Sequence, residues 1–320
     1  MNHPDTAVES QNSAQQSMID LLQKLAPQEG YNLTPLPGVR FLRSDRPLTR
    51  TPVLYDPGIV IVCQGCKRGY FGDRTYVYDR LHYLAVSVPV PFVMETDASP
   101  EHPLLALYLH LDFRLAAELI IQIDRQSDAM VTAIPESMMS SPMDAEMQTS
   151  VLHFLKAMSK PLDSVILGPA LLRELYFRVL TGPQGNVMRS ALAMQGQFGK
   201  IGKALRRIHA NYANPLDLTQ LADEAGMSVP SFHAHFKAIT RTSPMQYVKS
   251  TRLHQARLLM VRQGMTAAVA SQAVGYESPS QFNREFKRLF GLPPAEEARR
   301  MRENFAIPPA HSASEFVSSH

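Results

Sequence analysis

Two short segments near the C-terminal end carry the same aromatic and basic residues, fifty positions apart. Each reads Phe-x-x-x-Phe-Lys, with Phe232 and Phe236 in the first copy and Phe282 and Phe286 in the second. Phenylalanines four residues apart lie on one face of a helix, which packs into a core and leaves the opposite face to solvent. The repetition indicates an internal duplication of one helical unit.

The outward faces of these two helices carry side chains that can read base-pair edges. Asparagine and glutamine bond adenine and arginine bonds guanine, each good contact discriminating by roughly 1 to 3 kcal/mol. The first helix is poorer in such groups, so we expect it to depend on His233 and on thymine methyl or backbone contacts. The predicted DNA-contacting residues are Pro230, Ser231, His233, Ala234 and Lys237 in the first copy and Pro279, Ser280, Gln281, Asn283, Arg284 and Lys287 in the second.

The residues upstream of each copy predict a preceding helix joined to it by a tight turn. A small residue lets the two helices cross closely, a glycine can take the positive φ that ends the first helix, and a serine can cap the second. Each copy is therefore predicted to be a helix-turn-helix. The three positions are Ala222, Gly226 and Ser228 in the first copy and Ser271, Gly275 and Ser278 in the second.

The longest motif of this region is GYESPSQFNREFKRLFGLPP, at residues 275–294. It resembles the AraC (arabinose-regulator) family of bacterial transcription factors, and the resemblance covers roughly 105 residues. It implies two helix-turn-helix units joined by one long helix, here residues 244–262, whose Leu253, Ala256 and Met260 face both units. Such a connector would hold the recognition helices roughly 34 Å apart, matching successive major grooves. Ser271 stands where the family more usually has alanine, and the small size is kept.

Charge divides the chain into two parts. Residues 197–303 contain 16 Lys and Arg against 8 Asp and Glu, a net charge of +8, whereas the rest of the chain carries −5. A basic module beside an acidic one is typical of a phosphate-binding domain attached to a domain with another role. The residues expected to contact phosphates are Arg206, Arg207, Lys237, Lys287 and Arg288.

The N-terminal part reads as strands followed by helices, which gives an α+β protein. Short runs rich in Val, Ile, Tyr and Phe between residues 38 and 110, with a hairpin at Gly72-Asp73, predict eight or so strands in a barrel or sandwich. Apolar spacing predicts helices over residues 115–123, 145–158 and 165–180. The motifs YDPGIVIV (55–62) and HYLAVS (82–87) resemble, more weakly, the cupin-like N-terminal barrel of one branch of the family.

These patterns divide the chain into five predicted segments. Residues 1–30 form a polar N-terminus with a short helix at 18–25, and residues 31–181 form the cupin-like effector-binding and dimerisation domain. A Gly/Pro linker follows at 182–196, then the double helix-turn-helix at 197–303 and a disordered tail at 304–320.

The resemblance implies a transcriptional regulator that binds the major groove of double-stranded DNA under control of a small-molecule effector. It also implies a homodimer, with RNA polymerase as a partner and no cofactor. We expect an activator, although a protein that binds DNA in this way can recruit polymerase or obstruct it. Only two cysteines and no apolar run of about 18 residues occur. These observations predict a cytoplasmic protein at the bacterial nucleoid, without a membrane segment.

Cys63 and Cys66 form a CxxC motif that leaves a thiol redox-sensing regulator as one alternative. Lys67 and Arg68 could lower a thiol pKa. The motif begins within a strand, however, and buried cysteine commonly serves as a small apolar residue. The family usually has arginine at the position of Cys66, so sensing is the less favoured interpretation.

A cupin-type metalloenzyme with an accessory helical domain is the second alternative. It would use His82, His102 and His110 with Glu95 or Glu101. No His-x-His pair occurs, so no metal is expected. The chain also lacks a nucleophile elbow and a phosphate loop, and it is predicted not to be an enzyme.

Overall fold

Ten strands among the described residues form one antiparallel sheet in the N-terminal half of the chain. The computed structural model describes residues 4–126 and 133–304. The predicted hairpin is present, with Gly72 at a φ of 64°. The strands are β1 (Gly30–Leu33), β2 (Val39–Ser44), β3 (Leu48–Tyr55), β4 (Gly58–Gln64), β5 (Cys66–Phe71), β6 (Arg74–Asp79), β7 (His82–Val86), β8 (Val90–Asp97), β9 (Leu104–His110) and β10 (Met138–Pro142).

The two ends of the sheet approach each other. Its strand order is β1-β2-β9-β4-β7-β6-β5-β8-β3, with β10 paired to β7. Leu42 of β2 and Leu48 of β3 come from opposite ends of this order, yet both line one cleft together with Met94 of β8. The sheet is therefore curled, and its concave face encloses a core.

Alternate residues of the central strands enter two different cores. In β4, Val60 and Val62 pack on the concave side, whereas Ile59, Ile61 and Cys63 pack on the convex side against helices. Both faces of this strand are buried, which explains why β4 reads as an uninterrupted apolar run rather than as an alternating one.

Helices cover the convex side of the sheet, and two of them differ from the sequence prediction. They are α1 (Pro4–Leu25), α2 (Phe113–Arg125), α3 (Ala145–Met158), α4 (Pro161–Ile166) and α5 (Gly168–Thr181). Helix α1 begins within the segment that was expected to be only a polar arm. The single helix expected at 165–180 is two helices, because Pro169 near the start of α5 cannot continue the hydrogen bonds of α4.

The segment expected to be a Gly/Pro linker, residues 182–196, contains a packed helix. Helix α6 (Gly185–Leu192) buries Met188 and Leu192 in the core on the convex side of the sheet. The buried Arg189 donates a hydrogen bond from Nη1 to the carbonyl oxygen of Leu180, at 3.1 Å. The connection between the two halves of the chain is therefore fixed by packing through most of its length.

The C-terminal part is entirely helical over its described residues, and the α+β class is confirmed. Its helices are α7 (Gly196–Asn211), α8 (Leu218–Glu224), α9 (Val229–Thr240), α10 (Pro244–Gln263), α11 (Ala267–Ala273), α12 (Pro279–Phe290) and α13 (Pro294–Asn304). Beyond Asn304, the predicted disordered tail lies outside the described residues. No helix in the described part is both long and apolar enough to cross a membrane.

A buried tyrosine on α10 joins the helical part to the sheet. The hydroxyl of Tyr247 donates to the carbonyl oxygen of Pro89 at 2.9 Å and lies 2.7 Å from Nε2 of His209. Because the hydroxyl proton is used on Pro89, the imidazole is assigned as the donor in the second bond. Burial lowers the pKa of His209 to about 3, so this histidine is neutral in the folded protein.

An arginine on the same helix makes a second connection to the sheet. Arg257 is fully buried, and its Nη2 donates to the carbonyl oxygen of Pro52 on β3 at 3.0 Å. Its Nη1 donates to Oε1 of Glu297 on α13 at 3.2 Å, and the guanidinium lies 4.2 Å from the ring centre of Phe290. One side chain thus connects the sheet, the long helix α10 and the second helical unit.

Candidate nucleic-acid interface

Helices α8 and α9 form the first helix-turn-helix unit. Phe232 and Phe236 are fully buried, and Gly226 takes a φ of 61° in the turn, as predicted. Ser228 is the N-cap residue of α9, but its side chain makes no capping hydrogen bond. The sequence prediction was wrong on this bond.

Helices α11 and α12 repeat this arrangement in the second unit. Phe282 and Phe286 are buried, and Gly275 takes a φ of 83°. Here Ser278 does cap the helix, because its Oγ accepts a hydrogen bond from the backbone N–H of Gln281 at 3.3 Å. The first turn of α12, which carries most of the predicted base-reading groups, is therefore fixed by its cap.

The predicted DNA-contacting residues lie on open surfaces of α9 and α12. Ser231 and Gln281 are half-buried. The other nine are exposed, so a duplex could approach both helix faces: Pro230, His233, Ala234, Lys237, Pro279, Ser280, Asn283, Arg284 and Lys287.

Helix α10 sets the separation of the two units. It has 20 residues, which corresponds to a length of about 30 Å. Tyr247 and Val248 in its first half belong to the core of the first unit, and Leu253, Ala256 and Met260 belong to the core of the second. The last three were expected to face both units, but the first half of α10 packs into one core and its second half into the other.

Glu285 is a buried carboxylate in α12 that the sequence reading did not single out. It accepts hydrogen bonds from Lys249 Nζ at 3.0 Å, from the hydroxyl of Tyr276 at 2.8 Å and from Gln281 Nε2 at 3.3 Å. Burial by itself would raise the pKa of Glu285, but these three bonds outweigh it and leave the pKa below its ordinary value. Glu285 thereby orients Gln281, one of the predicted base-reading residues. The one feature of the sequence that could have indicated this role of Glu285 is its position four residues after Gln281, since residues at that spacing are neighbours on a helix face.

The basic residues expected at phosphates surround the two units. Lys237, Lys287 and Arg288 are exposed. Arg207 lies 3.7 Å from the carboxylate of Glu224 through its Nε, and both side chains are largely exposed. Ion pairs of this kind contribute little and can be exchanged for a phosphate contact.

The curled sheet contains a second candidate site, the cleft between its two ends, which we call the barrel cleft. It is lined by apolar side chains and by a buried lysine, Lys67, and about 30 Å³ of it is unfilled, space for roughly one water molecule. Burial lowers the pKa of Lys67 to about 7. Its lining residues are Glu29, Gly30, Tyr31, Leu42, Arg43, Ser44, Arg46, Pro47, Leu48, Lys67, Met94, Thr96 and Leu104.

The two cysteines lie in an environment that disfavours the thiolate. Cys63 is buried on the convex side of β4, and burial raises its pKa to about 12. Cys66 is half-buried, and burial again outweighs the charge of Arg68, so that its pKa is also raised. Lys67 lies in the barrel cleft, whereas Arg68 is paired with Asp97. Arg68 thus lowers the pKa of Cys66, as the sequence suggested, but by less than burial raises it.

Two of the residues considered as metal ligands, His82 and Glu95, have other hydrogen-bond partners. Nδ1 of His82 lies 3.0 Å from Oδ1 of Asp79, and Glu95 accepts a hydrogen bond from the hydroxyl of Tyr70 at 2.6 Å. Within residues 4–126 and 133–304, no group of three or more His, Cys, Asp or Glu side chains is arranged to hold a metal ion.

Comparison with known proteins identifies both halves of the chain. The family model for the AraC-type transcriptional regulator N-terminus matches residues 35–187, and a helix-turn-helix domain model matches residues 221–300. These ranges contain the curled sheet with its helices and the two helix-turn-helix units.

Curated relatives are named as transcriptional regulators. A putative AraC-like transcription regulator from Streptomyces lividans is 31% identical over 96 residues, which cover 30% of this chain and 32% of the relative. The RCS-specific HTH-type transcriptional activator RclR from Escherichia coli is 29% identical over 104 residues, covering 32% of this chain and 37% of the relative. The matches thus span about a third of these relatives' length. Their names agree with the prediction of a regulator rather than an enzyme.

Solved structures share the fold across most of the chain. ToxT from Vibrio cholerae, crystallised with an unsaturated fatty acid, superposes with a TM-score of 0.56 at 11% identity, covering 81% of this chain and 94% of that chain. ToxT bound to (E)-4-(8-methylnaphthalen-1-yl)but-3-enoic acid gives a TM-score of 0.53 at 11% identity, covering 81% and 98%. The two matched domains, in this order and on this fold, place the chain in the AraC family of transcriptional regulators.

Proposed function

We propose that this protein binds DNA sequence-specifically through both helix-turn-helix units and controls transcription in response to a small-molecule effector. The observation that carries the proposal is the exposure of two recognition helices, α9 and α12, at the two ends of a connector about 30 Å long. This length is close to one turn of B-DNA, so both helices could enter successive major grooves on one side of the duplex.

Within this proposal the second unit supplies most of the base readout. Asn283, Arg284 and Gln281 carry the groups that bond adenine and guanine edges, and Pro279 and Ser280 begin the same helix. In the first unit, His233 is assigned to base readout, and Ala234 and Pro230 to apolar contacts with thymine methyl groups. Lys237 and Lys287 at the ends of the two helix faces are assigned to phosphates.

The effector site is proposed to be the barrel cleft. ToxT, which shares the fold, has been crystallised with two different carboxylic acids, which supports control by a small molecule bound to the protein. The contacts of Tyr247 and Arg257 with the sheet give such a molecule a physical route to the DNA-binding helices, because any movement of β3 or of the loop before β8 would alter them.

A homodimer is proposed to form through the helices outside the sheet. Leu162, Val165, Ile166 and Leu167, in and directly after α4, are exposed apolar side chains of a kind that monomers seldom cluster. Replacing Leu162 and Ile166 by serine should yield monomers in analytical ultracentrifugation. An unchanged sedimentation coefficient would assign dimerisation, if present, to another surface.

Activation through RNA polymerase is the mode of control that we propose. In transcription from a promoter that carries the binding site, the protein should raise the yield of transcript. A fall in transcript at the same occupancy would identify a repressor.

Selection of duplexes from a random pool tests the proposal. We expect enriched sequences with two conserved blocks about one helical turn apart, the longer block contacting α12. A pool that remains random after repeated selection, in both low and moderate salt, would contradict sequence-specific binding.

A further inference from the structure

The barrel cleft combines an apolar wall with cations of unequal exposure. Tyr31, Leu42, Leu48 and Met94 form much of the wall, contributed by strands from both ends of the sheet. Three basic side chains line it, Lys67 at full burial and Arg43 and Arg46 at the exposed mouth, against one carboxylate. A net positive cleft whose wall is largely apolar suits an anion that carries an apolar body.

Lys67 is the unusual member of this set. It is 1% exposed, and lysine is among the residue types least often found fully buried. Its strand alternates, with Lys67, Gly69 and Phe71 facing inward and Cys66, Arg68 and Tyr70 facing outward. Gly69 lets the ring of Phe92 approach its backbone, where an added Cβ would meet Phe92 at 3.1 Å. The position therefore holds an amine in the low-dielectric interior, where the pairing of an ammonium with a carboxylate is strongest.

Arg46 connects the mouth of the cleft to α13, the last described helix of the DNA-binding domain. Its Nη2 donates to Oε2 of Glu29 at 2.7 Å, and its Nε donates to Oε1 of the same residue at 3.1 Å. Its Nη1 donates to the carbonyl oxygen of Glu303, in the last turn of α13, at 2.8 Å. Arg46 thus touches the cleft, the start of the sheet and the end of the DNA-binding domain.

The cavity within the cleft is small in this state, at about 30 Å³. A ligand larger than one water must displace side chains at the mouth, and Arg46 and Leu48 are two of those that line it. Movement of Arg46 would break its hydrogen bond with the end of α13. Arg46 therefore offers a further route from the cleft to the DNA-binding domain, besides the contacts of Tyr247 and Arg257.

We propose that the barrel cleft binds a small organic carboxylate with an apolar body, that Lys67 pairs with the carboxylate, and that entry of this ligand displaces Arg46 from helix α13. The inference rests on the proposed function, because it assigns the effector class and the route of control to the same domain. Because the carboxylate is the group that is recognised, the corresponding alcohol should bind poorly.

Calorimetry on the full-length protein tests the site. The probes are straight-chain carboxylates from butanoate to decanoate and phenylacetate, each compared with the alcohol of the same carbon skeleton. We expect at least one acid to bind more tightly than its alcohol by about tenfold or more. Lys67→Met, which keeps the length and removes the charge, should abolish this preference, whereas the exposed control Lys156→Met should keep it. Equal binding of acid and alcohol, no binding by any probe, or an unchanged preference in folded Lys67→Met would overturn the assignment.

The coupling step needs a separate readout. DNA affinity should change when the bound acid is added to the wild-type protein and should no longer respond in Arg46→Gln, which still binds the acid. An Arg46→Gln protein whose DNA affinity responds normally would overturn the coupling. DNA binding by the ligand-free protein is measured in the same assay, so loss of the proposed function, which would appear as no specific DNA binding at all, is distinguishable from loss of the acid site.

Discussion

Arg257 and Glu297 form an ion pair in which both side chains are fully buried, with 3.2 Å between Nη1 and Oε1. Burial lowers the pKa of Arg257 to about 10, and the carboxylate of Glu297 opposes this shift. The same carboxylate accepts hydrogen bonds from Arg300, at 2.8 Å from Nε and 3.1 Å from Nη2. The pair ties α10 to α13 at the point where α10 also contacts the sheet.

Removing one partner of this pair should strongly destabilise the helical domain. In Glu297→Gln, the buried guanidinium loses its counter-charge, and we expect the free energy of unfolding to fall by about 3 to 5 kcal/mol. Urea denaturation followed by circular dichroism measures this loss. The exposed pair between Lys160 and Asp163 provides the control, since Asp163→Asn should change stability by less than about 1 kcal/mol. Similar losses of unfolding free energy in the two variants would show that the buried pair does not stabilise the domain.

Two glycines with positive φ should respond differently to alanine. Gly275 and Gly264 have φ values of 83° and 66°, but an added Cβ at Gly275 would meet the carbonyl oxygen of Ala213 at 2.1 Å, whereas nothing lies within 4 Å at Gly264. Gly264→Ala should therefore cost about 1 to 2 kcal/mol from backbone strain alone. Gly275→Ala should cost roughly 1 to 3 kcal/mol more, because the turn must also shift. Thermal unfolding compares the two, and equal losses would contradict the close approach.

Stability should fall as the pH is lowered from about 6.5 toward 3. His209 has its pKa lowered from 6.5 to about 3 by burial, and burial followed by the charge of Arg257 lowers that of His254 as well. In this range the unfolded chain binds protons that the folded protein does not. Each histidine's contribution to the free energy of unfolding is therefore complete above its unfolded pKa and is lost as the pH falls toward its folded pKa. His209→Asn should flatten the curve of unfolding free energy against pH, whereas His153→Asn at an exposed site should not. A wild-type curve that is flat across this range would refute buried neutral histidines.

The duplicated helices could be predicted from sequence because their signal is local. Phe232 and Phe236, repeated as Phe282 and Phe286, mark a buried face by spacing alone, and Gly226 and Gly275 mark the turns. These features depend on residues a few positions apart, and side-chain type is sufficient to reveal them.

The contacts between the two domains could not be predicted in the same way. Tyr247 and Arg257 donate hydrogen bonds to the backbone carbonyls of Pro89 and Pro52. Because every residue has a backbone carbonyl, the sequence does not show which of them accepts such a bond. The burial of Lys67 was not predicted either, because it depends on which face of β5 turns inward. Helix α6 was missed because Gly182, Pro183 and Gly185 resemble a linker.

Alanine substitutions of Arg284 and Lys287 should weaken DNA binding in different ways. Arg284→Ala is expected to lower affinity for the selected site by about 1 to 3 kcal/mol while leaving binding to unrelated duplex nearly unchanged. Lys287→Ala should weaken binding to all duplexes alike and reduce the slope of log affinity against log salt by about 1. Fluorescence anisotropy over a salt series separates the two patterns. An equal loss on every duplex in Arg284→Ala would reassign that residue to a phosphate.

The most direct test of the account is a hydroxyl-radical footprint of the purified protein on its selected duplex, with unrelated DNA as competitor. If both recognition helices enter the major groove from a connector of about 30 Å, each protomer should protect two stretches of backbone about one helical turn apart on the same side of the duplex. If protection is confined to one stretch, or if competitor DNA removes it entirely, the protein does not bind a specific site through both helix-turn-helix units.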